Sequence, residues 1–190
     1  MDLNGAIFDR LNDDIAGRYG ALDDVMKFAA QYLLFLVAAI VVASWFARFG
    51  SGENRRVAVY SAVIASVIAL GIAVLISSNY DHPRPFMNRG DVVLLLPHGA
   101  DSGFPSDHTT VAFALAAAMG LYRPRFGIVL LLMASLIAFS RVYVGVHYPG
   151  DVAGGALIGI GVAIAVWLAR PALLWLDRVV VQRLVPSPLL

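Results

Sequence analysis

The sequence of 190 residues contains no cysteine and only one lysine, and only 14% of its residues are charged. Without cysteine, the chain forms no disulfide, holds no zinc through thiolates and offers no thiol nucleophile. An ordinary soluble domain is about 25% charged and about 45–50% apolar, whereas this chain is 59% hydrophobic. The composition therefore predicts a membrane protein. The formal net charge of +1 gives no reason to expect nucleic acid as a partner.

Stretches without Asp, Glu, Lys or Arg indicate how often the chain crosses the membrane. A helix needs about 20 apolar residues to span the hydrocarbon core. The stretches that approach this length are residues 28–47, 57–80, 109–122, 126–140 and 152–169. They are apolar on every face, which favours helices over the alternating strands of a barrel. The sequence predicts an all-α, polytopic membrane helical bundle with about five transmembrane helices, forming one domain over residues 1–190.

The ends of the chain and of two spans need separate treatment. The third span is short unless it begins at Ser106, and the fourth is short unless it runs past Arg141. Residues 3–25 predict an interfacial helix on the outer surface, because apolar residues recur at helical spacing. These are Leu3, Ile7, Leu11 and Ile15. Residues 171–185 predict a second interfacial helix on the inner surface. The N-terminus has no basic segment followed by an apolar core, so we expect no cleaved signal peptide.

Charged and titratable residues are divided unequally between the two membrane sides. Loops 48–56 and 121–125 and the tail from Arg170 share one side and carry eight arginines. The positive-inside rule makes that side cytoplasmic. The histidines all fall on the opposite side: His82, His98, His108 and His147. The sequence therefore predicts that titratable chemistry is concentrated on the extracytoplasmic face.

The segment SRVYVGVHYPGD ends one apolar stretch and begins the next. Pro149 suits the first helical position, where its missing N–H costs nothing, and this puts Asp151 in the first turn. A first-turn carboxylate can reach back, so Asp151 is placed to accept a hydrogen bond from the His147 ring. An imidazole held in one tautomer presents its other nitrogen as a nucleophile or base. The alternative is that Asp151 only caps the helix.

The segment GFPSDHTT sets polar groups at the mouth of another apolar stretch. Ser106 or Asp107 is a natural N-cap, and the free amides of a helix start favour an anion. His108 then lies in the first turn, beside any bound anion. Arg84 and Arg141 add guanidinium groups, which match the oxygens of phosphate. Ionisable groups at helix mouths are costly unless they are paired or functional.

Together these groups describe a site for phosphoryl transfer. One histidine attacks phosphorus, the other protonates the departing oxygen, and water then hydrolyses the phosphohistidine. The arginines and helix amides offset the charge of the phosphoryl oxygens, so we expect no metal or other cofactor. A small membrane transporter is the alternative of another class, although the middle of every span is uncharged. A metal-binding module of four histidines is a third alternative, opposed by their dispersed spacing.

The three segments resemble the signature of the type 2 phosphatidic acid phosphatase superfamily: Lys-x6-Arg-Pro, Pro-Ser-Gly-His and Ser-Arg-x5-His-x3-Asp. The matching residues are Arg84, Pro85, Pro105, Ser106, His108, Ser140, Arg141, His147 and Asp151, within a signature region of residues 77–151. The resemblance implies that His147 is the nucleophile, that Asp151 orients it and that His108 is the general acid. It also implies three phosphate binders, namely Arg84, Ser106 and Arg141.

The sequence departs from that signature at two positions. Ser77 stands where the signature has lysine. Arg89 and His82 are the auxiliary candidates for the missing positive charge; otherwise the site works with less. Asp107 replaces the signature glycine and adds a negative charge beside the phosphate site. We expect its carboxylate to turn away and cap the helix, while its backbone N–H faces the anion.

The wider sequence, including AGRYGALDDVMKFAAQYL and RVYVGVHYPGDVAGGALIG, is most similar to the bacterial undecaprenyl diphosphate phosphatases, which are associated with bacitracin resistance. This similarity implies hydrolysis of undecaprenyl diphosphate for cell-wall synthesis, at the outer face of the bacterial inner membrane. Phosphatidylglycerophosphate, phosphatidic acid, lipid A and other prenyl diphosphates stay open as substrates, because the signature reads phosphate and not lipid. Vanadium-dependent haloperoxidases share such a site but are soluble.

The connection over residues 81–105 is long for a compact bundle, and long connections are often functional. Its apolar residues 92–96 lie between polar ones. Two roles are open for them. They either dip into the membrane interface and help a lipid tail to reach the site, or they form a short anchor.

Overall fold

The structure is a computed structural model that describes residues 3–46 and 52–181. The predicted all-α class is confirmed, since these residues form helices and turns and no strand. The helices are α1 (Leu3–Leu11), α2 (Gly20–Gln31), α3 (Leu33–Ala43), α4 (Gly52–Asn79), α5 (Pro85–Asn88), α6 (Asp107–Tyr122), α7 (Pro124–Tyr143), α8 (Pro149–Leu168) and α9 (Arg170–Leu176). A π-helical turn, Asp177–Val181, follows α9.

Three helices are long and apolar enough to cross a membrane: α4 over Arg55–Asn79, α7 and α8. Helices α2 and α3 qualify as a fourth span only if they are counted together. Helix α6 has 16 residues, which is about 24 Å at 1.5 Å per residue and shorter than the hydrocarbon core of about 30 Å. Among the described residues, length and composition thus support three or four of the five predicted spans.

Two predicted helices are broken. The stretch 28–47 bends by 52° between α2 and α3, at Tyr32, and residue 47 lies outside the described residues. The predicted helix 3–25 is wrong as a single unit, because α1 ends at Leu11 and α2 begins at Gly20. Gly17 has φ +78° in the intervening turns, and this left-handed conformation favours glycine and interrupts a helix. Of the predicted tail helix, the part beyond residue 181 is outside the described residues.

Helix α6 lies at the centre of the bundle, packed against α3, α4, α7 and α8. Glycines of α8 allow the closest of these approaches. A Cβ on Gly155 would lie 2.8 Å from the Ser106 carbonyl oxygen, and a Cβ on Gly159 would collide with the Thr110 carbonyl oxygen. Small residues let helix backbones pack this closely. As a result the starts of α6 and α8 meet, and the Ser106 N–H donates to the Asp151 carbonyl at 3.1 Å.

The opposite end of the bundle is joined by a buried ion pair. Arg56 of α4 donates from Nε to Asp177 Oδ1 at 3.0 Å and from Nη2 to Oδ2 at 2.8 Å. Both side chains are buried. This bidentate contact connects the segment after α9 to the start of α4.

Helix α1 and the turns after it bury some side chains against the rest of the protein and leave other, apolar side chains exposed. Phe8, Asn12 and Ala16 are buried, whereas Leu3 and Ile7 are exposed. Asn12 Nδ2 donates to the carbonyls of Val93 and Tyr143, at 2.9 and 2.8 Å, and its Oδ1 accepts from the Val93 N–H. One side chain therefore holds the 81–105 connection against the end of α7.

The apolar residues 92–96 of that connection lie on the protein, where Val93 and Leu95 pack on a cluster that includes Tyr143. Gly145 has φ +85°, and a Cβ there would lie 2.8 Å from the Val93 carbonyl oxygen. Glycine at this position therefore allows the connection to approach the α7–α8 turn. The part of these residues in lipid entry stays a prediction.

Candidate active site

The three segments that carry the signature, around Arg84, Ser106 and His147, meet at one end of the bundle. Helices α4, α6, α7 and α8 alternate in direction, so the ends of α4 and α7 lie beside the starts of α6 and α8. Arg84 is the N-cap of α5, Ser106 is the N-cap of α6, and Arg141 lies in the last turn of α7. His147 precedes α8, and Asp151 lies in its first turn. Each predicted block thus contributes to a single site.

His147 is buried, and its ring is held from the Nδ1 side. Nδ1 lies 2.9 Å from the Gly103 carbonyl oxygen and 3.5 Å from Asp151 Oδ2. A carbonyl only accepts, so the nearer contact places the proton on Nδ1 and leaves a lone pair on Nε2. Burial, and then the charges of Arg141 and Arg84, lower the pKa of His147 well below its ordinary value of 6.5. The ring is therefore neutral at pH 7.

Asp151 forms the cap expected from its position, and it also lies between two imidazoles. Pro149 is the first residue of α8, as predicted, and Asp151 Oδ2 accepts from the Tyr148 N–H at 2.8 Å. The other oxygen, Oδ1, lies 3.3 Å from His82 Nε2. The sequence predicted Asp151 as the acceptor for the His147 ring. The structure places the Gly103 carbonyl closer, with Asp151 as the second neighbour of Nδ1.

Arg84 is buried and donates from each of its three nitrogens. Nη1 lies 3.0 Å from His147 Nε2 and 3.0 Å from the Val146 carbonyl oxygen. Nε donates to Asp101 Oδ1 at 2.9 Å, and Nη2 donates to the Ser102 carbonyl at 3.3 Å. Nη1 also lies 3.3 Å from His147 Nδ1, farther than from Nε2. A guanidinium only donates, so its nearer contact agrees with a lone pair on Nε2. Positive charge thus faces the atom that would attack phosphorus.

Arg141 is the second buried guanidinium of the site. Nη1 donates to the Ala30 carbonyl at 3.3 Å, and Nη2 lies 3.0 Å from His98 Nε2 and 3.5 Å from His147 Nε2. Its Nε is buried without a hydrogen-bond partner. In the described part of the chain, no carboxylate lies within ion-pair distance of Arg141. A buried, charged donor left in this state indicates that the site is built for an anion.

The start of α6 adds backbone donors and His108. Ser106 is a buried N-cap, as predicted, but its hydroxyl accepts from Thr109 Oγ1 at 3.2 Å and does not cap the helix. The first backbone amides of a helix have no partner four residues back. His108 is half-buried and makes no hydrogen bond within the described residues, and the charges of Arg141 and Arg84 act on it. Its ring is therefore free to contact a ligand.

Asp107 does not behave as expected from its position. Its carboxylate is exposed and forms no capping hydrogen bond. The predicted cap is therefore wrong. The charges of Arg84 and Arg141 both act on the carboxylate, so Asp107 belongs to the electrostatic environment of the site.

Neither auxiliary candidate takes the place of the lysine that is absent at Ser77. Arg89 donates to Asp9, Asp13 and Asp91. It joins the region of α1 to the connection and does not contact the site, which corrects the expectation. His82 contacts Asp151 rather than the two arginines. The Ser77 hydroxyl bonds locally, to the Val74 carbonyl at 3.1 Å.

The sequence missed three contributors, all in the connection just before the second block. Gly103 supplies the carbonyl to His147, Asp101 pairs with Arg84, and His98 contacts Arg141. Burial, and then the charges of Arg84 and Arg141, lower the pKa of His98 below 6.5. One signal in the sequence was available for His98, because it is one of the four histidines that were predicted to lie on the same side of the membrane. A carbonyl partner leaves no signal in side-chain identity.

A pocket of about 400 Å³ opens beside Asp151. Its lining includes His82, Asp151, Ile76, Tyr80 and Phe104. Its polar lining comes from Asn4, His82 and Asp151, and its apolar lining includes Ile76 and Tyr80 at the end of α4; His147, Arg84 and Arg141 are not among its lining residues. Among the described residues, no three His, Cys, Asp or Glu side chains are grouped so as to hold a metal ion.

Comparison with known proteins shows the family of the chain. The model of the PAP2 superfamily matches residues 59–175. The chain is 34% identical over 184 residues to the bacitracin transport permease protein BcrC of Bacillus licheniformis, covering 94% of this chain and 89% of that protein. It is 40% identical over 139 residues to the undecaprenyl-diphosphatase BcrC of Bacillus subtilis (strain 168), covering 73% and 70%.

A solved structure shows the same likeness. The crystal structure of Aquifex aeolicus LpxE superposes with a TM-score of 0.72 at 29% sequence identity, covering 88% of this chain and 96% of that one. The family match extends over more than half of the chain and includes every residue assigned to the site. The chain therefore belongs to the PAP2 superfamily, the type 2 phosphatidic acid phosphatase superfamily that its three segments resemble.

Proposed function

We propose that this protein hydrolyses undecaprenyl diphosphate to undecaprenyl phosphate and phosphate, through a phosphohistidine at His147, on the extracytoplasmic side of the bacterial inner membrane. The observation that carries the proposal is the position of His147 Nε2, the ring nitrogen to which the contacts assign a lone pair. It lies in a buried site, 3.0 Å from Arg84 Nη1 and 3.5 Å from Arg141 Nη2. A nucleophile and two phosphate-binding groups thus converge on one point.

In the first step, the terminal phosphoryl group binds between the guanidinium groups and the amides at the start of α6. Nε2 of His147 attacks phosphorus, and the bond from phosphorus to the bridging oxygen breaks. His108, protonated beside the bound anion, gives its proton to that oxygen. Arg84 and Arg141 stabilise the charge that spreads over the three equatorial oxygens. The lipid monophosphate leaves, and phosphorus remains bonded to His147.

In the second step, water hydrolyses the phosphohistidine. Neutral His108 accepts a proton from water as its oxygen bonds to phosphorus, which restores the acid form for the next cycle. The N–P bond breaks and returns the lone pair to Nε2. The hydrogen bond from Nδ1 to the Gly103 carbonyl keeps the ring in the same tautomer throughout. The chain's own residues supply every group that these steps use.

The lipid and the side of the membrane are inferred from two further features. A relative that is 40% identical is an undecaprenyl-diphosphatase, which supports a prenyl diphosphate over the other lipid phosphates. The pocket beside Asp151 has apolar walls that suit the start of a prenyl chain. The site lies at the bundle end opposite the Arg56–Asp177 pair, and the arginine-rich loops on that opposite side support an extracytoplasmic site.

A second candidate function is bacitracin transport, because the 34% identical relative carries the name of a bacitracin transport permease. The ionisable residues of the site are gathered at one end of the bundle, which gives a transported ion or peptide no relay across the membrane. Cells that make the His147→Ala variant separate the two functions. A phosphatase loses its protection against bacitracin with this substitution, whereas a transporter keeps it.

The direct test uses the purified protein in detergent, with undecaprenyl diphosphate, phosphatidylglycerophosphate and phosphatidic acid as substrates and a chelator present. We expect phosphate release to be fastest from undecaprenyl diphosphate and to be abolished in His147→Ala. Ser66→Ala is the matched control, because Ser66 is half-buried on α4, away from the site, and bonds only to the Val63 carbonyl of its own helix. Full activity in His147→Ala overturns the nucleophile. Loss of wild-type activity on chelation overturns the metal-free reaction, and preference for another lipid overturns the substrate.

A further inference from the structure

His98 is the one imidazole that contacts a phosphate-binding arginine from the 81–105 connection. Its Nε2 lies 3.0 Å from Arg141 Nη2. The same Nη2 lies 3.5 Å from His147 Nε2, so Arg141 contacts both rings. The ring centroids of His98 and His147 are 6.3 Å apart, with an interplanar angle of 72°. The two histidines therefore face a shared space beside Arg141.

The contact with Arg141 fixes the protonation state of His98 in the free protein. A guanidinium offers only donors, so His98 Nε2 must accept, and the ring is neutral. On the other side, His98 Nδ1 lies 3.4 Å from the Gly99 carbonyl oxygen and 3.7 Å from Asp101 Oδ1. These acceptors suit a proton on Nδ1. If an anion bound against Arg141, His98 Nε2 would face a phosphate oxygen, which accepts hydrogen bonds, instead of a guanidinium, which donates them. Nε2 would then favour the protonated form, which can donate.

His98 lies on the side of the site where we expect the leaving group of the substrate. The phosphoryl group under attack lies against His147 Nε2 and the donors around it. In-line displacement then puts the leaving group on the far side of phosphorus. His98 is partly exposed, with 25% of its side chain accessible, so it lies at the mouth of the site and not at its base. A leaving group that carries its own phosphate would therefore need a donor near His98.

We propose that His98 is a specificity-determining residue that binds the second phosphoryl group of a diphosphate substrate and so favours diphosphates over monophosphates. This inference rests on the proposed phosphatase function. On binding, His98 takes up one proton at Nε2 from solvent and donates it in a hydrogen bond to an oxygen of the leaving phosphate. Asp101 lies beside Nδ1 and supports the resulting imidazolium, and Arg141 stays bound to the anion.

The first test compares turnover of a prenyl diphosphate with that of the matching prenyl monophosphate, so that the apolar tail is constant. We expect His98→Ala and His98→Gln to lose roughly 10- to 100-fold in kcat/KM on the diphosphate, as is typical of a hydrogen bond to a charged group, with little change on the monophosphate. Leu94→Ala is the control for disturbance of the connection, because Leu94 is exposed there. Equal losses on both substrates, or no loss, overturn the proposal.

The second test measures binding without turnover. Methylenediphosphonate and methylphosphonate are titrated calorimetrically in buffers of different ionisation enthalpy, near pH 7. We expect the diphosphonate to take up about one proton more with wild-type protein than with His98→Gln, and the monophosphonate to show no such difference. Identical proton uptake in the two proteins overturns the inference. A wild-type protein that releases no phosphate from any lipid contradicts the phosphatase function instead, and this binding arm still decides the role of His98.

Discussion

The ring of His147 is buried beside two arginines, and this has a measurable consequence for its titration. Burial and the charges of Arg141 and Arg84 lower its pKa below 6.5. A lowered pKa in a histidine means that the neutral form persists as pH falls through 6.5, and that the proton binds only at more acid pH. His147 therefore stays neutral over the whole neutral pH range, as the proposed role of nucleophile requires.

We expect nitrogen NMR of the histidine-labelled protein to show a neutral, Nδ1-protonated ring for His147 at pH 6.5. The resonance is assigned by its absence in His147→Gln. Gly103 holds the tautomer through its carbonyl, so the assignment to Nδ1 follows from the same contact. A ring that is half protonated at pH 6.5 or above, or that carries its proton on Nε2, contradicts this account.

The two buried arginines depend on their geometry as well as their charge. Arg84 donates from three nitrogens to four partners, a pattern that the single ammonium of lysine cannot reproduce. We expect Arg84→Lys to lower kcat/KM by roughly 100-fold or more, the effect of losing two hydrogen bonds from a charged group. Arg125→Lys, on an exposed residue at the other end of α7, is the control. Near wild-type activity in Arg84→Lys would show that charge alone suffices.

At the scale of elements, the contact between α6 and α8 sets the distance between the amides at the start of α6 and the turn that carries His147. We expect Gly159→Val to separate these helices, because its Cβ would collide with the Thr110 carbonyl oxygen. A displacement of about 1 Å at reacting groups costs roughly 100-fold in rate. Phosphate release and the melting temperature should both fall.

Gly161 provides the matched control for this substitution on the same helix. A Cβ there meets nothing within 4 Å, so Gly161→Val makes the same chemical change without the collision. We expect it to leave the rate and the melting temperature nearly unchanged. Equal damage from both variants would place the effect in helix propensity and not in the α6–α8 contact.

The 81–105 connection is positioned by Asn12, whose side chain satisfies backbone groups of Val93 and Tyr143. Asn12→Ala leaves the buried Tyr143 carbonyl without this partner, at a cost of roughly 1–3 kcal/mol, and also removes the partner of the half-buried Val93 N–H and carbonyl. We expect faster hydrogen exchange at the amides of Val93 and Leu95 and earlier proteolysis of the connection. Asn79→Ala is the control, because Asn79 is exposed and bonds only within its own turn. Unchanged exchange in Asn12→Ala would remove Asn12 from this role.

At the scale of the whole molecule, the orientation in the membrane can be tested on a chain that has no cysteine of its own. Ala100 lies in the connection near the site, and Arg125 lies at the opposite end; both are exposed. In intact cells we expect an impermeant maleimide to label Ala100→Cys, and to label Arg125→Cys only after lysis. The reverse pattern would place the site on the cytoplasmic side.

The sequence was sufficient for the all-α class and for the meeting of its three signature segments, for a physical reason. Consecutive spanning helices alternate in direction, so the ends of the second and fourth predicted spans lie beside the starts of the third and fifth. The segments around Arg84, Ser106 and His147 therefore had to meet once the spans were recognised. The bend at Tyr32 could not be predicted, because the apolar run passes through it without a break. His98 was missed as a contributor because the path of a long connection is fixed by tertiary contacts and not by periodicity.

The hydrogen bonds of Asn12 also constrain the order in which the chain can mature during synthesis. Residue 12 leaves the ribosome first, but its partners Val93 and Tyr143 follow 81 and 131 residues later. Domains fold as units during translation, with N-terminal parts emerging first, and here the earliest helix has no complete docking surface until α7 has been made. Helix α1 therefore cannot dock completely until α7 and the start of α8 have been made, and the candidate site is complete only when the start of α8 arrives.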